Sequence, residues 1–363
     1  MKKIIIVTSI LLILTGCYDR TELNDLAIVS GIDISKNKNN YNITMQIINT
    51  SKNNKENQNY KIYEGTGKSI NDAINNIINK APKKLYESQI QILILDENTA
   101  KENLKEVLDY FIRNNETRDE FFVLISKNNK TNTPIIKTHY SQDIINTLKS
   151  NKKNSGIVSL TTLNELIKKY QNKKVEITLP IIEQTNNNQE INITSTAIFK
   201  NNKLIGNINE KESIILNIIT NNIENTSITI QDKASKYITT QLIKPKTKIY
   251  IKNNKINIKI TGTALIRENN YKLNLEDKDN INIIQKKLNK NINQEIKKTI
   301  KKINKKYNTD IYELKDIIYK HNNKYYKKYI EKNNNYLNNI DISINSKIKL
   351  INDNNILGGT NNE

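Results

Sequence analysis

The sequence of 363 residues has no tryptophan, one cysteine, four prolines, nine glycines and two histidines. A single thiol can form neither a disulfide within the chain nor a thiolate metal site. So few prolines and glycines exclude a collagen-like protein and a proline-rich linker. The histidines, His139 and His321, lie far apart in the sequence and indicate no metal-ligand cluster. We predict surface or partly buried positions for both.

Arginine is also scarce, although the chain has a formal net charge of +20. Among 57 basic residues, only Arg20, Arg113, Arg118 and Arg267 are arginines. Because arginine is the preferred bidentate ligand for guanine and phosphate, this composition argues against nucleic-acid binding. Lysine, asparagine and isoleucine are abundant throughout, which is typical of an AT-rich genome. We interpret the charge as a solvated lysine surface, with attraction to anionic lipid headgroups as the functional alternative.

The N-terminus contains an apolar run at 4–14 that is too short for a membrane span, which takes about 20 residues. Two lysines precede this run, and the combination is typical of a secretory signal peptide. The run leads into the tetrapeptide LTGC, which ends at Cys17 and fits bacterial lipoprotein processing. We predict that residues 1–16 are a cleaved signal peptide. The Cys17 thiol would then carry a diacylglycerol that tethers the chain to a membrane outside the cytoplasm.

We find no catalytic constellation, cofactor site or metal site in the sequence. The segment GKS at 67–69 resembles the end of a phosphate-binding loop, but that motif needs a glycine where this chain has Ile62. We interpret the segment as a turn into a capped helix. A Gly-x-Ser-x-Gly elbow does not occur. Acidic pairs such as Asp96-Glu97 and Asp119-Glu120 are sequence neighbours whose side chains point apart, so they are poor acid–base pairs.

Hydrophobic periodicity predicts mixed strands and helices for residues 17–190. Apolar residues from Ile70 to Ile78 follow the spacing of a buried helix face, and Ser69 is placed to begin that helix, with Asp72 capping back. A capping box at Thr99-x-x-Glu102 predicts the start of another helix. The other predicted elements are strands at 26–34, 41–47, 90–95, 121–126 and 175–182 and helices near 141–149 and 160–170.

The middle block, residues 191–266, is predicted to be mostly strand. It follows an asparagine-rich loop. Its one predicted helix, near 210–221, begins with Asn209 and Glu212 as capping residues. Alternating apolar residues at 256–266 predict a strand.

The last block contains a long basic helix at 283–306 with one apolar stripe and lysines on the other side. This pattern predicts packing against a sheet, and a face for a partner or anionic lipid is the functional alternative. Asp310 and Glu313 are placed to cap a second helix, and a final strand is predicted at 340–350. Strands and helices mix without strict alternation, which predicts an α+β fold. The predicted domains after the signal peptide are residues 17–190, 191–266 and 267–363.

Four segments, spread in order over most of the chain, resemble one known family. They are GCYDRTELNDLAIVSGIDIS at 16–35 and residues 65–126, 195–213 and 296–320, followed by a closing strand that leads to LGG. The family is Ger(x)C, the C subunits of spore germinant receptors.

The sequence departs from the family pattern at a few positions. Tyr18 stands where the family usually has tryptophan after the lipidated cysteine, and Gln89 stands where histidine is common. The tryptophans typical of the C-terminal block are missing, and Tyr326 and Tyr336 are the nearest candidates. Tyrosine keeps an aromatic face for packing.

The resemblance implies three α+β domains and a lipoprotein on the outer face of the spore inner membrane. It implies a complex with an A subunit and a transporter-like B subunit. That complex responds to nutrients such as amino acids, sugars or ions and starts the release of ions and dipicolinic acid. The resemblance also implies that the chain is not an enzyme.

Two other functions share part of this pattern. A substrate-binding lipoprotein of an importer has the same attachment motif, but it would have two similar lobes around a cleft, typically with aromatic walls. The three predicted blocks differ from one another, and tryptophan is absent. An exported hydrolase of cortex peptidoglycan would need a specific Asp or Glu for catalysis.

Overall fold

The computed structural model describes residues 22, 25–49, 60–127, 134–184, 190–231, 236–253, 255–271, 273–333 and 336–351. In these ranges strands and helices mix, which confirms the predicted α+β class. The strands are β1 (Leu26–Asn37), β2 (Asn40–Ile48), β3 (Tyr60–Gly67), β4 (Lys84–Tyr86), β5 (Ile92–Asp96), β6 (Phe122–Ser126), β7 (Thr178–Gln184), β8 (Ile191–Lys200), β9 (Lys203–Asn209), β10 (Asn225–Gln231), β11 (Tyr237–Lys252), β12 (Lys255–Asn269) and β13 (Ile342–Ile351). The helices of six or more residues are α1 (Ile70–Ile78), α2 (Glu97–Glu102), α3 (Leu104–Arg113), α4 (Ser141–Asn154), α5 (Leu163–Gln171), α6 (Glu210–Ile219), α7 (Lys278–Tyr307) and α8 (Leu314–His321).

The first sheet has the strand order β3-β2-β1-β5-β6-β7-β8-β9, with β4 beside the start of β1. Its four central strands, β1, β5, β6 and β7, are parallel to one another. Residues of α1, α3 and α5 pack in the hydrophobic core on one face, and α4 packs in the core on the other. Because both faces are covered, a central strand such as β5 reads as a continuous apolar run rather than an alternating one.

The second sheet has the order β10-β11-β12-β13. Its last strand, β13, is parallel to β12 and comes from the C-terminal end of the chain. The 30-residue helix α7 packs against β13. The predicted apolar stripe of α7 is buried, which confirms the predicted packing of this helix on a sheet. The stripe consists of Ile284, Leu288, Ile292, Ile296, Ile300 and Ile303.

Side chains of α7 also satisfy the outer edge of β13. Asn293 Oδ1 accepts a hydrogen bond from the backbone N–H of Ser346 at 2.9 Å, and Asn289 Oδ1 accepts one from Ile348 at 2.8 Å. Gln285 Oε1 accepts a third from Leu350 at 2.9 Å. Four helical residues rise about 6.0 Å and two strand residues about 6.6 Å, so the two repeats nearly match. The small difference between the two repeats adds up along the row. Gln285, which has the longest side chain of the three, lies at one end of the row.

A buried polar network fixes the segment before α4 to the first sheet. The Gln46 side chain on β2 donates hydrogen bonds to the carbonyl oxygens of Ile136 at 2.8 Å and His139 at 2.9 Å. Its Oε1 accepts from the backbone N–H and the hydroxyl of Ser141, both at 2.7 Å, and from Ser30 Oγ at 3.1 Å. The amide is fully buried and makes these bonds to groups up to 95 residues away.

Strand pairing crosses both predicted domain boundaries. β8 and β9 follow position 190, yet they pair with β7 and complete the first sheet. β12 runs across position 266 and pairs with β13, which joins the middle and last blocks in one sheet. The sheets therefore do not follow the division at 190 and 266, and the three-domain organisation stays a prediction.

Most predicted elements are present, and four details of the prediction were wrong. Asp96, not Thr99, caps the helix at 97, because the Asp96 carboxylate accepts a hydrogen bond from the Thr99 N–H at 3.2 Å. The strand β3 was not predicted. Ile78, predicted to be buried, is 49% exposed. Glu313 precedes α8 without a capping hydrogen bond from its side chain, whereas Asp310 accepts one from the Lys315 N–H.

Candidate functional site

Cys17, the predicted lipidation residue, lies outside the residues that the structure describes. β1 begins at Leu26, nine residues further along the chain. Nine extended residues span at most about 32 Å, so an anchor at Cys17 would keep the start of the first sheet within that distance of the membrane. Within the described ranges, no helix is both long and apolar enough to cross a bilayer.

The two histidines occupy unrelated places. His139 is partly buried beside Thr138, whose hydroxyl lies 2.8 Å from Nδ1. His321 is exposed at the end of α8. Both positions agree with the prediction. Among the described residues, no group of three or more His, Cys, Asp or Glu side chains is arranged to hold a metal ion.

The segment at 67–69 forms a turn into a helix, as predicted. The Ser69 hydroxyl accepts a hydrogen bond from the Asp72 N–H at 3.1 Å, and the Asp72 carboxylate accepts one in return from the Lys68 N–H at 2.9 Å. These bonds satisfy N–H groups at the start of α1, which would otherwise lack partners. These hydrogen bonds explain the segment as a turn that caps a helix.

All ten lysines of α7 are exposed, whereas the helix has only two acidic residues, Asp279 and Glu295. Lys302 Nζ lies 2.6 Å from the carboxylate of Glu212 on α6, and this ion pair links the two helices. The exposed face of α7 is therefore a strongly basic surface, separate from the buried apolar stripe of the same helix.

A groove of about 1080 Å³ lies between α1 and α3. Ile74 and Ile78 of α1 line it together with Tyr110 and Arg113 of α3. Glu87 lies beneath, and burial raises the pKa of this carboxyl despite the hydrogen bond that it accepts from Asn114 Nδ2 at 2.7 Å. The groove was not predicted from the sequence. The position of Ile78, at the border of the apolar face of α1, could have indicated an exposed apolar residue there.

A second cleft, of about 600 Å³, lies between the end of β8 and the segments around the start of α8. Glu176 and Lys200 line it from the first part of the chain, and Asp310 and Lys315 line it from the last. Asp310 is buried, and its oxygens accept hydrogen bonds from the Tyr336 hydroxyl at 2.7 Å and from the Lys315 N–H at 2.8 Å. Burial raises the pKa of Asp310, and these bonds oppose the shift. Asp310 thus organises the start of α8.

Tyr326 and Tyr336, the nearest candidates for the tryptophans that the resemblance leads one to expect, are both buried. Tyr336 is 2% exposed and donates its hydroxyl hydrogen to Asp310. Tyr326 is also buried and meets Tyr319 edge to face, with 5.3 Å between ring centroids. Both rings therefore pack in the core of the second sheet. Gln89 is exposed in a short turn before β5.

Sequence comparisons match three family models to consecutive parts of the chain. Residues 1–17 match the prokaryotic membrane lipoprotein lipid attachment site. Residues 19–184 match the spore germination protein N-terminal domain, and residues 194–353 match the spore germination B3/GerAC-like C-terminal domain. The lipid attachment match ends at Cys17.

Similar proteins support the same assignment. The putative spore germination protein YfkR of Bacillus subtilis (strain 168) is 22% identical over 79% of this chain and 80% of its own length. Spore germination protein KC of the same strain is 25% identical over 77% of each chain. The crystal structure of the GerBC protein has the same fold, with a TM-score of 0.60, 20% identity, and coverage of 89% of this chain and 97% of that one. This chain belongs to the Ger(x)C family, the family of germinant-receptor C subunits.

Proposed function

We propose that this protein is the lipid-anchored C subunit of a nutrient germinant receptor and acts as a non-catalytic interaction subunit on the outer face of the spore inner membrane. The main support is the order of the matched segments. A lipid attachment site at 1–17 is followed directly by the two domains of the family at 19–184 and 194–353. In this proposal, Cys17 carries the diacylglycerol, and its two acyl chains give stable membrane attachment where one would be marginal.

The proposed partners are the A and B subunits of the receptor. The groove between α1 and α3 is a candidate contact surface, because Ile78 lies half exposed in it between charged side chains. An exposed apolar residue within a polar rim is typical of a protein contact. The lysine face of α7 offers a second contact, either with a partner or with anionic headgroups.

The importer-lipoprotein alternative has less support. It predicts two similar lobes, whereas the two sheets differ in strand number and strand direction. An exported enzyme has no supporting observation in the described part of the chain, where Asp96, Asp119 and Asp310 are engaged in structural hydrogen bonds.

Replacement of Cys17 by alanine tests the proposed function. We expect spores of the variant to lose nutrient-triggered release of dipicolinic acid, while release by dodecylamine, which bypasses the receptors, stays normal. If both responses are normal, a full gene deletion decides between a dispensable anchor and a chain that is not needed. Normal nutrient germination in the deletion strain would refute the proposed function.

The partner surface has its own matched test. We expect Ile78→Asp to reduce co-purification of the A and B subunits, because it places a charge in the groove. Ile112→Asp is the control, since Ile112 is 51% exposed on α3 and does not line the groove. Equal co-purification with both variants would remove the groove from the interface.

A further inference from the structure

Another cleft opens at the carboxyl ends of parallel strands in the first sheet. β1, β5 and β6 are neighbours and all end at this edge. The space has a volume of about 430 Å³. In open sheets of this kind, ligands bind outside the carboxyl ends of the strands, and the volume lies in the range of small-molecule sites.

Asp33 of β1 lines this cleft and has an unusual environment. The residue is 4% exposed. One carboxylate oxygen accepts a hydrogen bond from the Ile135 N–H, while Oδ2 is buried without a hydrogen-bond partner. Burial and the nearby Asp96 raise the pKa of Asp33 to about 7. A buried carboxylate with an unused oxygen is costly unless a donor or a positive charge meets it.

The charged neighbours of Asp33 are engaged with other groups. Lys137 Nζ lies 2.6 Å from Glu64 Oε1 on β3, and Lys127 Nζ lies 2.5 Å from Glu183 Oε1. The Asp96 carboxylate caps α2 and accepts a further hydrogen bond from the Lys36 backbone N–H. Three lysines also line the cleft. Two of them form these ion pairs, and the third, Lys36, lies with its Nζ 3.4 Å from the Tyr41 hydroxyl.

The donor set favours an organic cation over a divalent metal. Calcium takes six to eight oxygen ligands, and magnesium needs near-ideal octahedral geometry. The described residues hold no group of three or more metal-ligating side chains, here or elsewhere. A primary ammonium needs only a few acceptors, because it has three N–H donors and one positive charge. The carboxylate of Asp33 and the hydroxyls of Thr44 and Ser126, which line the same cleft, supply acceptors of this kind.

We infer that this cleft binds a small molecule with a primary ammonium group, which pairs with the carboxylate of Asp33. This site goes beyond the proposed function, because it lies within one sheet of the chain and needs no receptor partner. It also differs from an importer site, which would lie between two lobes.

Calorimetry on the full-length protein in detergent tests the site. The probes are n-butylammonium, tetramethylammonium and potassium ion. We expect saturable binding of n-butylammonium only. Asp33→Asn should weaken it roughly tenfold or more, as when a charge-assisted hydrogen bond is lost. Asp109→Asn is the control, because Asp109 is exposed on α3 and pairs with Arg113.

Several outcomes would overturn the inference. These are no saturable binding of n-butylammonium, equal binding of tetramethylammonium or potassium, and equal affinities in the Asp33 and Asp109 variants. If Asp33→Asn fails to fold, calorimetry of the parent protein at pH 6 in two buffers with different ionisation heats replaces it. An ammonium that pairs with Asp33 displaces its proton, so binding must release protons there. Binding without proton release would place the amine elsewhere.

This test is independent of the germination test. Loss of nutrient response in the Cys17 variant with no amine binding would retain the receptor role and refute the cleft. If the protein binds the amine but its deletion leaves germination normal, the cleft is retained and the receptor role is refuted.

Discussion

The two sheets of this protein are held by different kinds of contact. Helices cover both faces of the first sheet, so polar side chains such as Gln46 are buried in it and are held by individual hydrogen bonds. One long helix, α7, covers the second sheet, and the contact repeats along that helix as an apolar stripe beside a row of amide side chains. The first sheet therefore depends on particular residues, whereas the second depends on a repeated spacing.

The largest expected effect lies in the apolar stripe of the second sheet. We expect Ile296→Ala to lower the free energy of unfolding by about 2–5 kcal/mol, because Ile296 is fully buried and its loss leaves a cavity. Ile283→Ala on the same helix should change it by less than about 0.5 kcal/mol, since Ile283 is 47% exposed. Urea unfolding of both variants measures the difference. Similar midpoints would mean that the stripe does not hold the sheet.

The next prediction compares the free energy of unfolding lost with one buried polar residue, Gln46, and with one member of the amide row, Asn289. Gln46→Leu should cost about 3 kcal/mol, because it leaves the Ile136 and His139 carbonyl groups and the Ser141 N–H buried without their partner. Asn289→Leu should cost about 1 kcal/mol, since Asn289 is only partly buried and water can replace it. Chemical denaturation compares the two. A larger cost for Asn289 would reverse the comparison.

A smaller effect concerns one glycine in each sheet. A Cβ at Gly65 on β3 would lie 2.0 Å from the backbone oxygen of Ala73 on α1, so Gly65→Ala should cost about 2 kcal/mol through displacement of the helix. At Gly262 on β12 the nearest atom, the Cα of Pro245, would be 3.2 Å away, so a smaller shift suffices and Gly262→Ala should cost less than Gly65→Ala. Thermal unfolding of both variants checks this, and equal melting temperatures would show that α1 yields at no cost.

The last effect is a pH dependence from the first sheet. The raised pKa of Asp33 means that the folded state holds a proton that the unfolded state releases, so this residue favours folding at low pH. That contribution is lost as the pH rises through about 7. Asp33→Asn mimics the protonated acid, so its Tm should exceed that of the parent by a few degrees at pH 8 and lose this advantage at pH 5.

Asp310 is the matched acid in the second part of the chain. Its oxygens accept several hydrogen bonds, so Asp310→Asn should lower Tm at both pH values. The raised pKa of Asp310 gives this residue a pH dependence of the same sign. A Tm of Asp33→Asn at or below that of the parent at pH 8 would therefore be the result that contradicts the assignment of the pH dependence to Asp33.

The sequence predicts those parts of the fold that have a local period. The stripe of α7, the apolar run of β5 and the Asn209–Glu212 capping box all depend on residues close together in the chain. The same is true of Cys17, whose significance comes from the residues just before it. Long-range features were missed because they depend on strand register. Gln46 meets a helix start 95 residues away, and Asp33 is an ordinary polar residue in its strand until the 134–137 segment covers it.

The row of amides on α7 has a consequence for a protein that would be concentrated on a membrane surface. An uncovered strand edge is a template on which a second molecule can add its own strand, and crowding favours such growth. On the outer edge of β13, Gln285, Asn289 and Asn293 already accept the hydrogen bonds of three N–H groups, so this stretch of the edge has no free donors there for an added strand. Asparagine, which is abundant throughout the chain, thus covers part of a strand edge here.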